Sequence, residues 1–247
     1  MDRREFFAGM AGISIGHLAF AAAEHSITRI GVQLYTVRDL LKQDFEGTLA
    51  QVAHIGFKEV EFAQYFADLG NLNPPPKRVR QILDSDGLSA PSGHVPYSAL
   101  SPENWPRVLE GAAILGQKYI VNPSIDRDLT KRVDGWKRAA EVFNRAGTES
   151  LRAGIQLAYH NHTEEFQPVE GQLPYDILLS AADGKLVKME MDLGWAHVAG
   201  ANPLDYFAKY PGRFPLVHVK DFDKDGTMTE VGSGVIDWKA IFAKSDQ

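Results

Sequence analysis

Four of the chain's eight histidines stand where apolar runs give way to polar residues. His94 lies in "SGHVPY", His160 and His162 in "AYHNHTEEF", and His218 in "PLVHVK". Carboxylates accompany them: Glu165 follows His160 closely, Glu190 and Asp192 share "KMEMD", and Glu59 and Glu61 share "KEVEF". The chain has no cysteine, which excludes disulfides and thiolate sites, so any bound metal must be held by His, Asp and Glu. Imidazole nitrogens with carboxylate oxygens suit one divalent cation; manganese, magnesium, zinc and cobalt are all compatible. Asp192 and His218 close neighbouring strand candidates and can converge on one ion, with His160 or Glu165 as third ligand. Taken singly, each reads more readily as a satisfied core residue. Four polar residues at strand ends, with carboxylates one layer below, point to a site.

Strand side chains alternate faces. Glu190 and Asp192 therefore share one face and Met189 and Met191 the other. The same holds for Glu59 and Glu61 against Val60 and Phe62, and for His218 and Lys220 against Val217 and Val219. Gln156, Ala158 and His160 lie opposite Ile155, Leu157 and Tyr159, and Gln33 and Tyr35 pair on the first strand. Polar groups pointing into a helix-wrapped sheet are costly unless they bond one another or a ligand.

The elements that must hold these residues alternate strand and helix. Strands are expected over Arg29–Thr36, Phe57–Ala63, Leu88–Val95, Lys118–Pro123, Gly154–His160, Leu186–Leu193 and Phe214–Asp221. Helices are expected over Phe45–Ile55, Pro74–Ser85, Ser101–Leu115, Lys131–Ala153, Pro174–Ala182, Pro203–Tyr210 and Asp237–Lys244. Repeated β-then-α order implies a parallel sheet. About seven units in roughly 220 residues fit an α/β (β/α)8 TIM barrel better than an open sheet, and barrel sites form at the C-terminal strand ends. No Gly-x-Gly-x-x-Gly follows the first strand, which weakens a dinucleotide fold. An eighth strand would begin where the sequence stops at Gln247, so the barrel over residues 25–247 reads as C-terminally incomplete.

The chain has 247 residues with 44% hydrophobic and 23% charged content, an ordinary globular composition. A formal net charge of −6 gives no reason to expect nucleic acid. The first 24 residues hold Arg3-Arg4, Phe6-Phe7, an interrupted Gly/Ala-rich apolar run and Ala21-Ala22-Ala23. That pattern reads as a twin-arginine export signal, too short and broken for a stable membrane span, with the mature protein periplasmic or otherwise exported. Nothing in the residues speaks to oligomeric state.

In order and spacing, "IGVQLYTVRD", "GFKEVEF", "SGHVPY", "AYHNHTEEF", "MDLGWAHVAG", "PLVHVKDFD" and "EVGSGVIDW" resemble the sugar phosphate isomerase/epimerase family, with its xylose isomerase-like TIM barrel. The resemblance runs from about residue 27 to the end. It implies one divalent metal, a small-molecule sugar or keto-sugar substrate, and proton transfer beside a carbonyl through an enediolate. Asp192 and His218 match the family's Asp and His ligands. Its ketose 3-epimerases carry a glutamate where this chain has His160, so Glu165 or His160 itself takes the role of third ligand or base. The fourth ligand, a glutamate on the eighth strand, is expected beyond Gln247. His94, His162 and Glu61 are then candidates for substrate contact, Lys220 for catalysis, and Trp195 for an apolar wall. Lys220 reads equally as a neutraliser of nearby carboxylates and Trp195 as core packing. A histidine-rich fifth-strand end also resembles the branch that eliminates water from keto-polyols, inosose dehydratase among them. A non-catalytic sugar-binding protein is the third reading. A metal-dependent abasic-site nuclease of the same superfamily fits poorly with the acidic balance.

Overall fold

The computed structural model describes residues 30–63, 65 and 73–243. The leader read in residues 1–24 lies outside them. Seven parallel strands carry the fold: β1 (Gly31–Gln33), β2 (Glu59–Phe62), β3 (Ser89–Gly93), β4 (Tyr119–Asn122), β5 (Gln156–His160), β6 (Val187–Asp192) and β7 (Leu216–His218). They pair in sequence order, β1-β2-β3 and β4-β5-β6-β7. A bridge between His94 and Val121 joins the two sets, with the Val95 amide donating to the Val121 carbonyl at 2.8 Å. The row is strongly curled. His218 on the last strand reaches Glu61 on the second at 2.8 Å, although the two strands stand near opposite ends of the order. Among the described residues, β1 pairs with β2 alone and β7 with β6 alone.

Helices α1 (Arg38–Gln43), α2 (Phe45–Ile55), α3 (Pro76–Ser85), α4 (Trp105–Leu115), α5 (Val133–Arg152), α6 (Pro174–Ala181), α7 (Leu193–Val198) and α8 (Pro203–Lys209) fill the crossovers. Their starts follow local chemistry. Asp44 caps α2 by accepting from the Gly47 amide, and proline occupies the first turn of α3, α4, α6 and α8. The outward strand faces, with Ile120, Leu157, Tyr159, Met189 and Met191, are buried in the hydrophobic core with Trp105, Trp136 and Phe143 from the helices. Helix α5 lies so close to the start of β6 that a Cβ on Gly147 would sit 2.5 Å from the Leu186 carbonyl oxygen. Only glycine fits there.

Two expectations are corrected. The first strand ends at Gln33 and the chain turns into a 3-10 helix over Leu34–Val37, so Tyr35 is exposed rather than facing inward with Gln33. The seventh strand stops at His218, which places Lys220 just past its end. The segment after it makes a short antiparallel hairpin, β8 (Asp221–Phe222) with β9 (Met228–Thr229), before α9 (Trp238–Phe242). The short helices α1 and α7 had no sequence expectation at all.

Asp221 holds this last segment together. Its carboxylate accepts from the amides of Phe222, Gly232, Gly234 and Ile236 and from Trp238 Nε1, at 2.8–3.4 Å. Gly234 passes so near that a Cβ there would meet Asp221 Oδ1 at 2.2 Å. Burial raises the pKa of the carboxyl, but the bonds from Trp238, Gly232, Gly234 and Ile236 outweigh it and bring it from 3.8 down to about 2. A carboxyl held below its unfolded value stabilises the fold fully above that value, and the contribution is lost as pH falls through the folded value. Between pH 4 and pH 2 the urea midpoint of the native chain is therefore expected to fall more steeply than that of Asp221→Asn. Parallel slopes would show that the carboxylate contributes nothing.

Candidate metal centre

The alternation of strand side chains brings one polar residue after another into the interior. From β1 comes Gln33, from β2 Glu61, from β3 Ser92 with His94 just beyond, from β5 His160, from β6 Glu190 and Asp192, and from β7 His218. Register brings His160 level with Glu190 and Asp192 level with His218. His160, Glu190 and Asp192 are almost wholly buried, Glu61 and His94 nearly so, and His218 is slightly more open.

Four of these atoms close a ring in which oxygen and nitrogen alternate. Glu61 Oε1 lies 3.1 Å from His94 Nε2, which lies 2.8 Å from Glu190 Oε2. That oxygen is 3.3 Å from His218 Nε2, which returns to Glu61 Oε1 at 2.8 Å. His160 Nδ1 is a further neighbour of Glu190 Oε2, at 3.0 Å. His94, His160, Glu190 and His218 each offer one ligand atom, all within 4.8 Å of one another. A cation with nitrogen and oxygen ligands ~2.1 Å away holds neighbouring donors ~3.0 Å apart at right angles and ~3.4 Å apart in a tetrahedron. The observed spacings match, and the donor set suits a divalent ion.

The electrostatics favour positive charge at the same place. Burial alone would raise Glu61, but His94 and His218 outweigh it and hold this carboxyl well below the usual range. Glu190 is pushed up to about 7, first by burial and then by the charge on Glu61. Burial lowers His94 and His218, and the two carboxylates more than reverse this, lifting His94 to about 10. His160 stays neutral, kept well below its ordinary value by burial and by the other imidazoles. The carboxylates thus gather imidazolium protons where a divalent cation would supply the same charge. Gln33 Nε2 and Ser92 Oγ complete Glu61, at 2.8 and 2.6 Å.

A second group lies at the strand ends beside this ring. Asp192 Oδ2 accepts from Lys220 Nζ at 2.5 Å and lies 3.7 Å from His160 Nε2 and 3.8 Å from His218 Nδ1. Its Oδ1 accepts from the Trp195 amide at 2.9 Å and so caps α7. The Lys220 ammonium lies 5.2 Å over the Trp195 ring, which packs on Phe222. His162 stands half-buried between His160 and Trp195, at ring separations of 5.0 and 6.4 Å, and burial lowers its basicity.

Of the residues singled out in the sequence, His94, His160 and His218 converge with Glu61 against them. Asp192 is one step away and engaged by Lys220. His162, Trp195 and Lys220 stand together beside it. Glu165 is not brought in. It is buried against Tyr159, whose hydroxyl donates to Oε1 at 2.5 Å, while the His162 amide donates to Oε2 at 2.8 Å. Tyr159 faces the helix layer, so Glu165 closes the turn after β5 from the far side. Glu190 is the residue the sequence reading placed beneath the site rather than in it. Its signal was there, since it shares a face with Asp192 and a register position with His160.

Two substitutions separate these roles. After chelator treatment and titration with Mn2+, Glu190→Gln is expected to abolish stoichiometric binding. Asp192→Asn should weaken it by about 10–100-fold without abolishing it, as for a carboxylate outside the ligand ring. Equal loss in both would make Asp192 a ligand.

Comparison with known proteins bears on the fold that carries these residues. The family model described as a xylose isomerase-like TIM barrel matches residues 49–244. An inosose dehydratase of Lacticaseibacillus casei is 26% identical over 238 residues, covering 80% of this chain and 76% of that protein. A solved sugar phosphate isomerase/epimerase from Parabacteroides distasonis superposes with a TM-score of 0.77 at 28% identity, covering 91% of this chain and 84% of that one. A probable 3-DHS dehydratase from Bacillus anthracis, at 12% identity and a TM-score of 0.68 over 88% and 89% of the two chains, shows the fold alone. With its curled parallel sheet and a match spanning most of its length, the chain belongs to the xylose isomerase-like TIM barrel family.

Proposed function

We propose that this chain is a divalent-metal-dependent lyase that removes water from a keto-polyol or keto-sugar. The observation that carries the reading is Lys220, whose ammonium is fixed by Asp192 and Trp195 beside a cluster fitted to a divalent cation. Dehydration next to a carbonyl needs two proton transfers, one from the carbon beside the carbonyl and one to the departing hydroxyl. When bound, a divalent cation polarises the carbonyl and acidifies the neighbouring C–H. His162, kept neutral by burial, takes that proton. Lys220 Nζ gives a proton to the hydroxyl on the next carbon, which leaves as water as the C–O bond breaks and a C=C bond forms. The proton on His162 then returns to Lys220 through solvent. Trp195 offers an apolar wall to the ring. The inosose dehydratase relative supports elimination. The Parabacteroides distasonis structure supports a second reading, isomerisation or epimerisation, in which the same proton returns to carbon.

The test is incubation of the Mn2+-loaded protein with an inosose and with ketohexoses in deuterated water. Loss of one water from an inosose supports the lyase, whereas deuterium uptake with an isomeric product supports the second reading. Uptake of neither kind with any substrate would leave a binding protein. Lys220→Met is expected to keep exchange beside the carbonyl while slowing water release by about 10²–10⁴-fold, and His162→Gln to lose both.

The export reading of the leader is part of the same proposal. Replacing Arg3 and Arg4 by lysine is expected to leave the protein in the cytoplasmic fraction, and continued export would refute the twin-arginine assignment.

A further inference from the structure

Asn161 follows β5 directly and is completely buried. The last main-chain register between β5 and β6 pairs His160 with Glu190, after which the chain leaves β5 for the turn at Glu164–Phe166. Asp192 would then have no main-chain neighbour on that side. The Asn161 side chain takes the place of the missing rung. Its Oδ1 accepts from the Asp192 amide at 3.0 Å, and its Nδ2 donates to the Asp192 carbonyl at 3.2 Å. Both main-chain groups of Asp192 are gripped by one side-chain amide. With the backbone held, the carboxylate of Asp192 divides its oxygens between the Trp195 amide and Lys220 Nζ. A chain of contacts runs across three strand ends, from Asn161 after β5, through Asp192, to Lys220 after β7.

We propose that Asn161 is a positioning residue that fixes the Asp192–Lys220 pair, and with it the ammonium over the Trp195 ring. The ring of Glu61, His94, Glu190 and His218 makes no bond to Asn161, whereas His160, the remaining candidate ligand, is its neighbour in the chain. Loss of the clip therefore loosens Lys220 and leaves the ring intact. Alanine removes both bonds to a buried backbone, while aspartate keeps the shape and the acceptor and loses the donor.

The experiment compares the full chain with Asn161→Ala and Asn161→Asp, and reads three quantities. These are Mn2+ affinity by titration, the acylation rate of Lys220 relative to the other lysines by peptide mapping, and kcat and KM. In Asn161→Ala, Mn2+ affinity is expected to fall by less than in Asp192→Asn, and Lys220 to acylate several-fold faster. Its kcat should fall by about 10–100-fold with KM little changed, as when a residue behind a functional group is lost. Asn161→Asp should fall between. Unaltered relative acylation of Lys220 in a folded Asn161→Asp would overturn the proposal. So would a joint fall of turnover, melting temperature and Mn2+ affinity in both variants, the last as large as in Asp192→Asn, since that is general destabilisation. The kinetic arm rests on the lyase reading; if the native chain turns over no substrate, that reading fails while acylation and Mn2+ affinity still decide the role of Asn161.

Discussion

Two carboxylates buried among three imidazoles set the terms for this molecule. Ionised groups in a helix-wrapped interior are tolerated only when each is met by an opposite charge or a hydrogen bond. Glu61 and Glu190 satisfy that condition only together with His94, His160 and His218, and these five come from four strands and the residue after a fifth. The curl of the sheet follows, because His218 can reach Glu61 only if the row of strands bends round a common centre. Gln33 and Ser92 close the remaining valences of Glu61. The outward strand faces pack apolar residues against the helices.

The layering of the interior explains a division of labour. The ring of Glu61, His94, Glu190 and His218 is sealed and shared among many strands, which favours a rigid seat for a cation. Asp192, Lys220, His162 and Trp195 lie at the strand ends, where Asp192 is buried and the other three are partly open, and combine one acid, one cation, one neutral imidazole and one aromatic face. The proposed proton-transfer chemistry rests on the juxtaposition of these two sets.

Much of the architecture was legible in the residues. Alternation of period two separated Met189 and Met191 from Glu190 and Asp192, and Val217 from His218, and the alternating elements gave the barrel class. Alternation gives the face of a side chain but not its depth. Whether Glu190 or Asp192 meets the imidazoles depends on the curl and register of the whole sheet, which no local window contains. Glu165 misled because its turn sends the carboxylate round to Tyr159, a contact with the outer face that spacing does not encode. Tyr35 misled because the strand ended three residues early in a 3-10 turn. Asn161 was invisible for a related reason, since a side chain replacing a main-chain rung looks like any polar loop residue.

The bonds at Asp221 span at most 17 residues of chain, whereas Glu61 meets His218 across 157 and His94 meets Glu190 across 96. Short loops close at little entropic cost and early, while long ones must wait for the chain between them to be in place. The hairpin segment can therefore form as a local unit, but the ring comes into being only when β2 and β7 have been brought face to face. A partly folded chain carries every donor atom and no seat. Any cation that used these donors would find them together only after β2, β6 and β7 have curled round one another, late in the assembly of the sheet.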